Sequence, residues 1–333
     1  MKVVKRVTVT TGPKRHRAFP GLLRLRSGEL LLTYREGSDH WKTDDAVLQA
    51  TRSKDDGETW SEPVTLLSEA GWGFSAHHGP TQLADGSVLA PAMSLRKSHV
   101  EPRGEYRVYT LRSHDEGRNW DIRQIGPMPG WRWQNQYGRI MEIDGTLWLP
   151  GGGQREGEEF WRNGYFVSYD NGESWPEWHT LCTGLQDEKD MLEFADQSLL
   201  AMIRSGRETY RSCSSDRGKT WTVPKKLPIF GQCPSLLLLP SGTTLFAYRE
   251  VESGNAKEGV GFRAKGVGLA VSNDRGRSWS VLPRMYDSPE GNFDCAYPSM
   301  VLARTNEVLC AYYTTFRDGD SHIELATIHV SLR

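Results

Sequence analysis

Short runs of apolar or alternating residues recur along the chain, and no segment carries a clear helical spacing. One pattern is an apolar strand, a tight turn and a second, very apolar strand. It occurs six times: FPGLLRLRSGELLLTY (19–34), HGPTQLADGSVLAPA (78–92), QYGRIMEIDGTLWLPG (136–151), DMLEFADQSLLAMI (190–203), CPSLLLLPSGTTLFAY (233–248) and YPSMVLARTNEVLCAY (297–312). Asp-Gly or Ser-Gly sits at most of these turns, which predicts hairpins. The strands are too apolar to have a wet face, so they are expected to lie innermost in each unit, buried on both sides.

A second pattern runs out of phase with the first. Five segments share Ser-x-Asp-x-Gly-x-x-Trp: SKDDGETW, SHDEGRNW, SYDNGESW, SSDRGKTW and SNDRGRSW, with aspartates at Asp55, Asp115, Asp170, Asp216 and Asp274. Their spacings are 60, 55, 46 and 58 residues. A period in this range marks a repeat architecture. Each box follows a short alternating strand, so each is expected to close a hairpin. Asp accepts backbone N–H bonds, Gly supplies a positive φ and Trp packs beneath the turn. A catalytic aspartate is not needed five times, so these read as turn residues.

Two hairpins per unit make a four-stranded antiparallel sheet. Six such sheets in series predict an all-β chain, a six-bladed β-propeller of four-stranded antiparallel blades occupying residues 1–333 as one domain. The sixth unit has one strand too few, and VVKRVTVT at the start has no partner in its own unit. The ring is therefore expected to close by pairing the N-terminal strand with the last sheet, which removes an exposed edge.

Composition narrows the function. There are 41 Lys and Arg against 42 Asp and Glu, a net charge of −1, which argues against a nucleic-acid partner. No apolar stretch is long enough to span a membrane, and MKVVKRVTVT has no apolar core of a signal peptide, so a cytoplasmic location and no membrane partner are expected. Five cysteines without a CxxC pair signal neither a disulfide framework nor a zinc site, and no cofactor motif is present.

In a propeller the residues flanking the inner hairpins gather at one mouth of the channel. Here these include Arg17, Arg35, Glu36, Asp39, His40 and Asp45 from the first unit, His77 and His78 from the second, and Tyr137 from the third. The fourth gives Arg204, the fifth Arg249 and Arg263, and the sixth Asp294 and Tyr297. Arginine forks recognise carboxylates, aromatic rings stack on sugars, and carboxyl groups beside arginines can serve as acids. This set predicts a carbohydrate substrate.

The boxes at these spacings resemble the Asp-box (BNR-repeat) sialidase superfamily over nearly the whole chain. The resemblance implies three arginines on a substrate carboxylate, a Tyr nucleophile assisted by a Glu, and an Asp acid. Tyr297 in CAYPSMV and Arg249 in LFAYRE match, and Asp45 lies in the loop expected of the acid, with Asp44 beside it. Three parts depart. The family's Arg-Ile-Pro run is Arg17-Ala18-Phe19-Pro20 here, Cys233 stands where the assisting Glu is expected, and Arg204 or Arg263 must supply a further arginine. The resemblance therefore implies an exo-glycoside hydrolase acting on a terminal acidic or unusual sugar rather than a standard sialidase. Two alternatives stay open. One is a lyase using His77, His78 and Tyr137 as acid and base, and the other a non-catalytic carbohydrate-binding propeller.

Overall fold

A computed structural model describes residues 2–10, 12–40, 44–76, 79–96, 104–186, 188–252, 263–289, 294–305, 307–315 and 320–330. It contains strands and no helix among the described residues. Six antiparallel sheets follow one another along the chain. The first blade runs His16–Arg24, Leu30–Gly37, Val47–Ser53, Val64–Leu67 from the inside outward. The inner strands of blades four, five and six are Lys189–Glu193, Gly231–Leu238 and Ala296–Leu302. In blades two and three the inner strand is split, into Gly73–Ser75 with Thr81–Gln82 and Trp131–Asn135 with Met141–Ile143. The sixth blade takes Lys2–Thr8 as its outermost strand, paired antiparallel with Ser321–His329 from Lys2↔His329 to Thr8↔Glu324. The ring closes through the N-terminal strand, as the orphan strand implied.

The second strand of each blade is sandwiched by both neighbouring blades, which explains its unbroken apolar sequence. Leu30, Leu31 and Leu32 are all fully buried although they point to alternate faces. Each such leucine contributes roughly 1.5–3 kcal/mol. Apolar clusters fill every junction between neighbouring blades, including the seam where Leu22, Leu30 and Leu32 meet Leu309, Ala311 and Leu325.

The boxes form the outer turns between third and fourth strands. In the first, Ser53 Oγ donates to Asp55 (2.8 Å) and accepts from Gly57 N (2.8 Å), while Asp55 accepts from Thr59 N (2.9 Å). Trp60 Nε1 donates to Gly57 O (3.1 Å), and Trp120 and Trp279 repeat that contact. Trp221 instead reaches the Tyr165 hydroxyl at 3.5 Å. The residue before each box glycine is also left-handed, with φ between 57° and 60° at Asp56, Glu116, Asn171, Arg217 and Arg275. These side chains grip the inner-hairpin turn of the preceding blade. Glu116 accepts from Ser27 N (3.3 Å), Asn171 donates to Asp85 (3.0 Å), Arg217 pairs with Asp144, Arg275 pairs with Asp196, and Asp56 accepts from Arg304 N (3.0 Å). The same latch thus recurs at five of the six blade junctions, the seam between blades six and one among them.

Two outcomes follow for stability. Ser53→Ala leaves the Gly57 amide and one Asp55 oxygen short of a partner and is expected to cost about 1–3 kcal/mol, read by urea denaturation. Hydrogen bonds from Thr59, Ser174 and Thr220 hold Asp55, Asp170 and Asp216 down at about 2. A depressed carboxyl stabilises the fold above its unfolded value of about 3.9 and loses that contribution as the pH falls through the folded value. Melting temperature is therefore expected to hold down to about pH 4 and drop between there and pH 2. An Asp55→Asn/Asp170→Asn/Asp216→Asn variant should show a shallower drop.

Candidate active site

Three inner strands carry the same distortion near their entry. Phe19-Pro20, Cys233-Pro234 and Tyr297-Pro298 each interrupt the register with the next strand, between Ala18 and Gly21, Gln232 and Ser235, and Ala296 and Ser299. The residue before proline is left-handed in all three, with φ of 57°, 53° and 47°, and Ala296 is left-handed as well at 78°. Proline has no N–H to give the ladder, so a bulge is the natural outcome. A non-glycine residue held this way costs about 1–3 kcal/mol, strain that tends to collect at functional sites. The bulges bring Phe19, Cys233 and Tyr297, from blades one, five and six, into one cluster. The Phe19 and Tyr297 rings meet edge to face at 4.7 Å.

Tyr297 does have a carboxylate partner. Its hydroxyl donates to Glu188 Oε1 at 2.5 Å. Glu188 precedes the inner strand of the fourth blade and is 2 % exposed. Arg204 holds it from the neighbouring strand, with Nη1 at 2.9 and 2.7 Å from its two oxygens. This corrects the expectation built on Cys233. The thiol does not replace the missing carboxylate; it lies 3.9 Å from a carboxylate supplied by another blade. Burial pushes the Tyr297 phenol well above its ordinary 10.0, Cys233 and Glu188 add to the rise, and Arg249 and Arg204 oppose it. The resting state is thus a neutral phenol donating to a carboxylate.

Arg249 lies 4.8 Å over the Tyr297 ring, a cation–π placement. Its Nε donates to Cys295 O (2.7 Å), Nη1 to Gln232 Oε1 (3.2 Å) and Nη2 to the Tyr313 hydroxyl (3.2 Å). Tyr313 in turn donates to Asp294 Oδ1 at 2.5 Å. Asp294 is also bonded at 2.7 Å to His40 Nδ1 through Oδ1 and to His16 Nε2 through Oδ2. Burial alone would raise this carboxyl, but the bonds from His16 and His40 outweigh it and hold Asp294 far below the usual carboxylate range. His16, His40 and Asp294 have the donor atoms of a metal site within 4.8 Å of one another. Arg35 Nη1 lies 3.0 Å from His16 Nδ1, however, and a guanidinium only donates. Nδ1 must accept, so the ring proton sits on Nε2, between His16 and Asp294. A cation there would have to displace that proton from a ring already capped by a cation. The donor set suits a proton-bridged network better than a metal.

The other residues expected at the mouth are placed as follows. Asp45 accepts from Ser38 N and Oγ (both 3.2 Å) and lies 3.5 Å from Arg15 Nη1, with no hydrogen bond to the Tyr297 group. Arg17 turns the other way from Phe19: its Nε donates to Glu36 (2.9 Å) and its Nη2 to Pro13 O (3.0 Å). Arg263 lies 3.5 Å from Glu252 at the surface, and Tyr137 is half-buried in the third blade. His77 and His78 lie outside the described residues. Arg204, Arg249 and Tyr297 are brought together with Glu188, while Arg35, His40 and Asp294 gather beside them across Phe19 and Tyr313.

Comparisons with known proteins agree with this architecture. The model of the BNR repeat-like domain matches residues 2–137 and 136–310. A sialidase of Paraclostridium sordellii is 25 % identical over 143 residues, which take in 39 % of this chain and 32 % of that protein. A crystal structure of a protein of unknown function from Dyadobacter fermentans superposes with a TM-score of 0.79 at 22 % identity, covering 99 % of both chains. The Hadza microbial sialidase Hz136 superposes with a TM-score of 0.69 at 20 % identity, over 94 % of this chain and 66 % of that one. At these identities the structural likeness establishes the fold alone. Taken with the family match across both halves of the ring, it places this chain in the BNR repeat-like domain family, as a six-bladed propeller.

Proposed function

We propose that this propeller is an exo-acting glycoside hydrolase with Tyr297 as its nucleophile and Glu188 as the acceptor of the phenolic proton. The observation that carries the reading is the 2.5 Å bond from Tyr297 to a buried glutamate that is ion-paired with Arg204. A phenol with a raised pKa is a poor nucleophile unless its proton leaves as the oxygen attacks. Glu188 stands where that proton must go. Attack by Tyr297 forms a glycosyl–tyrosine, and water then releases the sugar with retention at the anomeric carbon.

The substrate is a terminal sugar whose anionic group, if it has one, meets Arg204 and Arg249 rather than three arginines. Arg17 is committed to Glu36, and Phe19 stands on Tyr297 with an apolar ring. That replaces one arm of a carboxylate clamp by a surface suited to the C–H face of a sugar. The 39 % overlap with the clostridial sialidase supports the carbohydrate class and not the particular sugar.

The test is a panel of 4-methylumbelliferyl glycosides of neutral sugars, uronic acids and ulosonic acids. On the sugar that is turned over, Tyr297→Phe and Glu188→Gln should each lower kcat by roughly 10²–10⁴-fold. A 2-fluoro or 3-fluoro glycosyl fluoride of that sugar should label the peptide holding Tyr297. Full activity in Tyr297→Phe, or a label elsewhere, would overturn the proposal.

A further inference from the structure

We infer that His40 is the group that gives a proton to the leaving oxygen and takes one back from water, with Asp294, His16 and Tyr313 as its positioning residues. The inference rests on the Tyr297 reading. It concerns a residue whose chemistry neither the Asp boxes nor the arginines define.

The argument starts from which atoms can donate. The network ends in two guanidinium groups, and neither can accept a hydrogen bond. Arg35 fixes the His16 proton on Nε2, so His16 donates to Asp294 Oδ2. Arg249 donates to the Tyr313 oxygen, so Tyr313 spends its own proton on Asp294 Oδ1. Both bonds therefore point at Asp294, a carboxylate with nothing to donate. The remaining contact must run the same way, from His40 Nδ1–H to Oδ1 at 2.7 Å. This sets the His40 tautomer and puts its exchangeable lone pair on Nε2. An imidazole oriented and supported through Nδ1 by a buried carboxylate is the arrangement that lets the opposite nitrogen exchange protons during catalysis.

Position separates His40 from the other candidates. The His16 side chain is 2 % exposed, whereas that of His40 is 19 % exposed. The His40 ring lies 5.4 Å from Phe19, which itself lies against Tyr297. The imidazole and the nucleophilic phenol thus share one aromatic wall. Asp45 is tied instead to Ser38 and Arg15.

The steps balance. Tyr297 Oη bonds to the anomeric carbon as its proton passes to Glu188. The glycosidic C–O bond breaks, and its electron pair stays on the leaving oxygen, which takes the proton from His40 Nε2. In the second step a water oxygen bonds to the anomeric carbon while its proton returns to His40 Nε2. The tyrosyl C–O bond breaks, and Tyr297 recovers its proton from Glu188.

The charged groups around His40 are Asp294 on the sixth blade, Arg249 on the fifth, and His16 and Arg35 on the first. Burial lowers the His40 pKa below 6.5; the bond and charge of Asp294 raise it, and His16 and Arg249 lower it. The cationic acid form is fully present below that value and fades as the pH rises through it, so the first step should run best on the acid side.

The test uses the whole chain and has two parts. In ¹⁵N-histidine spectra His40 should show the Nδ1–H tautomer, with Nε2 titrating below pH 6.5, and Asp294→Asn should shift that titration lower. An Nε2–H tautomer, or no titration between pH 4 and 8, would overturn the inference with no substrate needed. In kinetics, His40→Gln should lower kcat/KM about 10²–10⁴-fold on a methyl glycoside but less than tenfold on the 2,4-dinitrophenyl glycoside, whose leaving group needs no acid. The alkaline limb of the pH profile should vanish with it. Equal losses on both glycosides, or the leaving-group signature appearing in Asp45→Asn instead, would sink the assignment while leaving Tyr297 in place. Tyr297→Phe should fail on both glycosides, so the two readings fail separately.

Discussion

Everything at the mouth of this propeller depends on the seam where the first blade packs against the sixth. The Tyr297 cluster draws Phe19 from the first blade, and the Asp294 network draws His16, Arg35 and His40 from it. Those residues lie more than 250 positions from Asp294 and Tyr297 along the chain. Only closure of the ring brings them within hydrogen-bonding range. The seam is tied by backbone and side chain together. Val9 N donates to Ile323 O, Leu22 N to Ser299 Oγ, and Arg17 N to Ser321 Oγ. An open seam would expose two strand edges and separate the parts of the site at the same time.

Within the seam a chain of hydrogen bonds links buried ionisable groups of the first, fifth and sixth blades. Arg35 faces His16, His16 and His40 face Asp294, Asp294 faces Tyr313, and Tyr313 faces Arg249. Glu188 and Arg204 form a second pair beside it. Buried ions are costly unless they are paired and fully hydrogen-bonded. The two networks meet these conditions at their carboxylates by fixing the direction of the protons bonded to Asp294 and Glu188. That same fixation leaves the phenol of Tyr297 aimed at one oxygen of Glu188.

The blades were legible because their signals are local. A box needs eight consecutive residues, and an inner hairpin needs a turn between two apolar runs, so both show in a short window. The site was legible only where it followed those windows. Tyr297 and Arg249 flank inner hairpins and matched the family pattern. Glu188 was missed because the fourth inner strand has no X-Pro bulge to mark its entry. Its place two residues ahead of DMLEFADQ was the only signal, visible once the six copies are aligned on their turns. Arg17 shows the limit of matching by position. The run Arg17-Ala18-Phe19-Pro20 departs from the family's spacing, and strand register sets Arg17 opposite Glu36, to which it donates. His40 was in view as a polar loop residue. Its partner Asp294 comes from the other end of the chain, and no one-dimensional pattern joins them.

The latches between box turns and neighbouring hairpin turns all lie at the strand ends remote from Tyr297. In an antiparallel blade the first–second and third–fourth connections share one rim, while entries to the inner strands and the second–third connections share the other. The propeller is thus a hoop on one side and a workbench on the other. Loops on the bench can lengthen, shorten or change charge without loosening the hoop. One scaffold can in this way be refitted for a different sugar by altering a few residues beside a nucleophile that stays where it is.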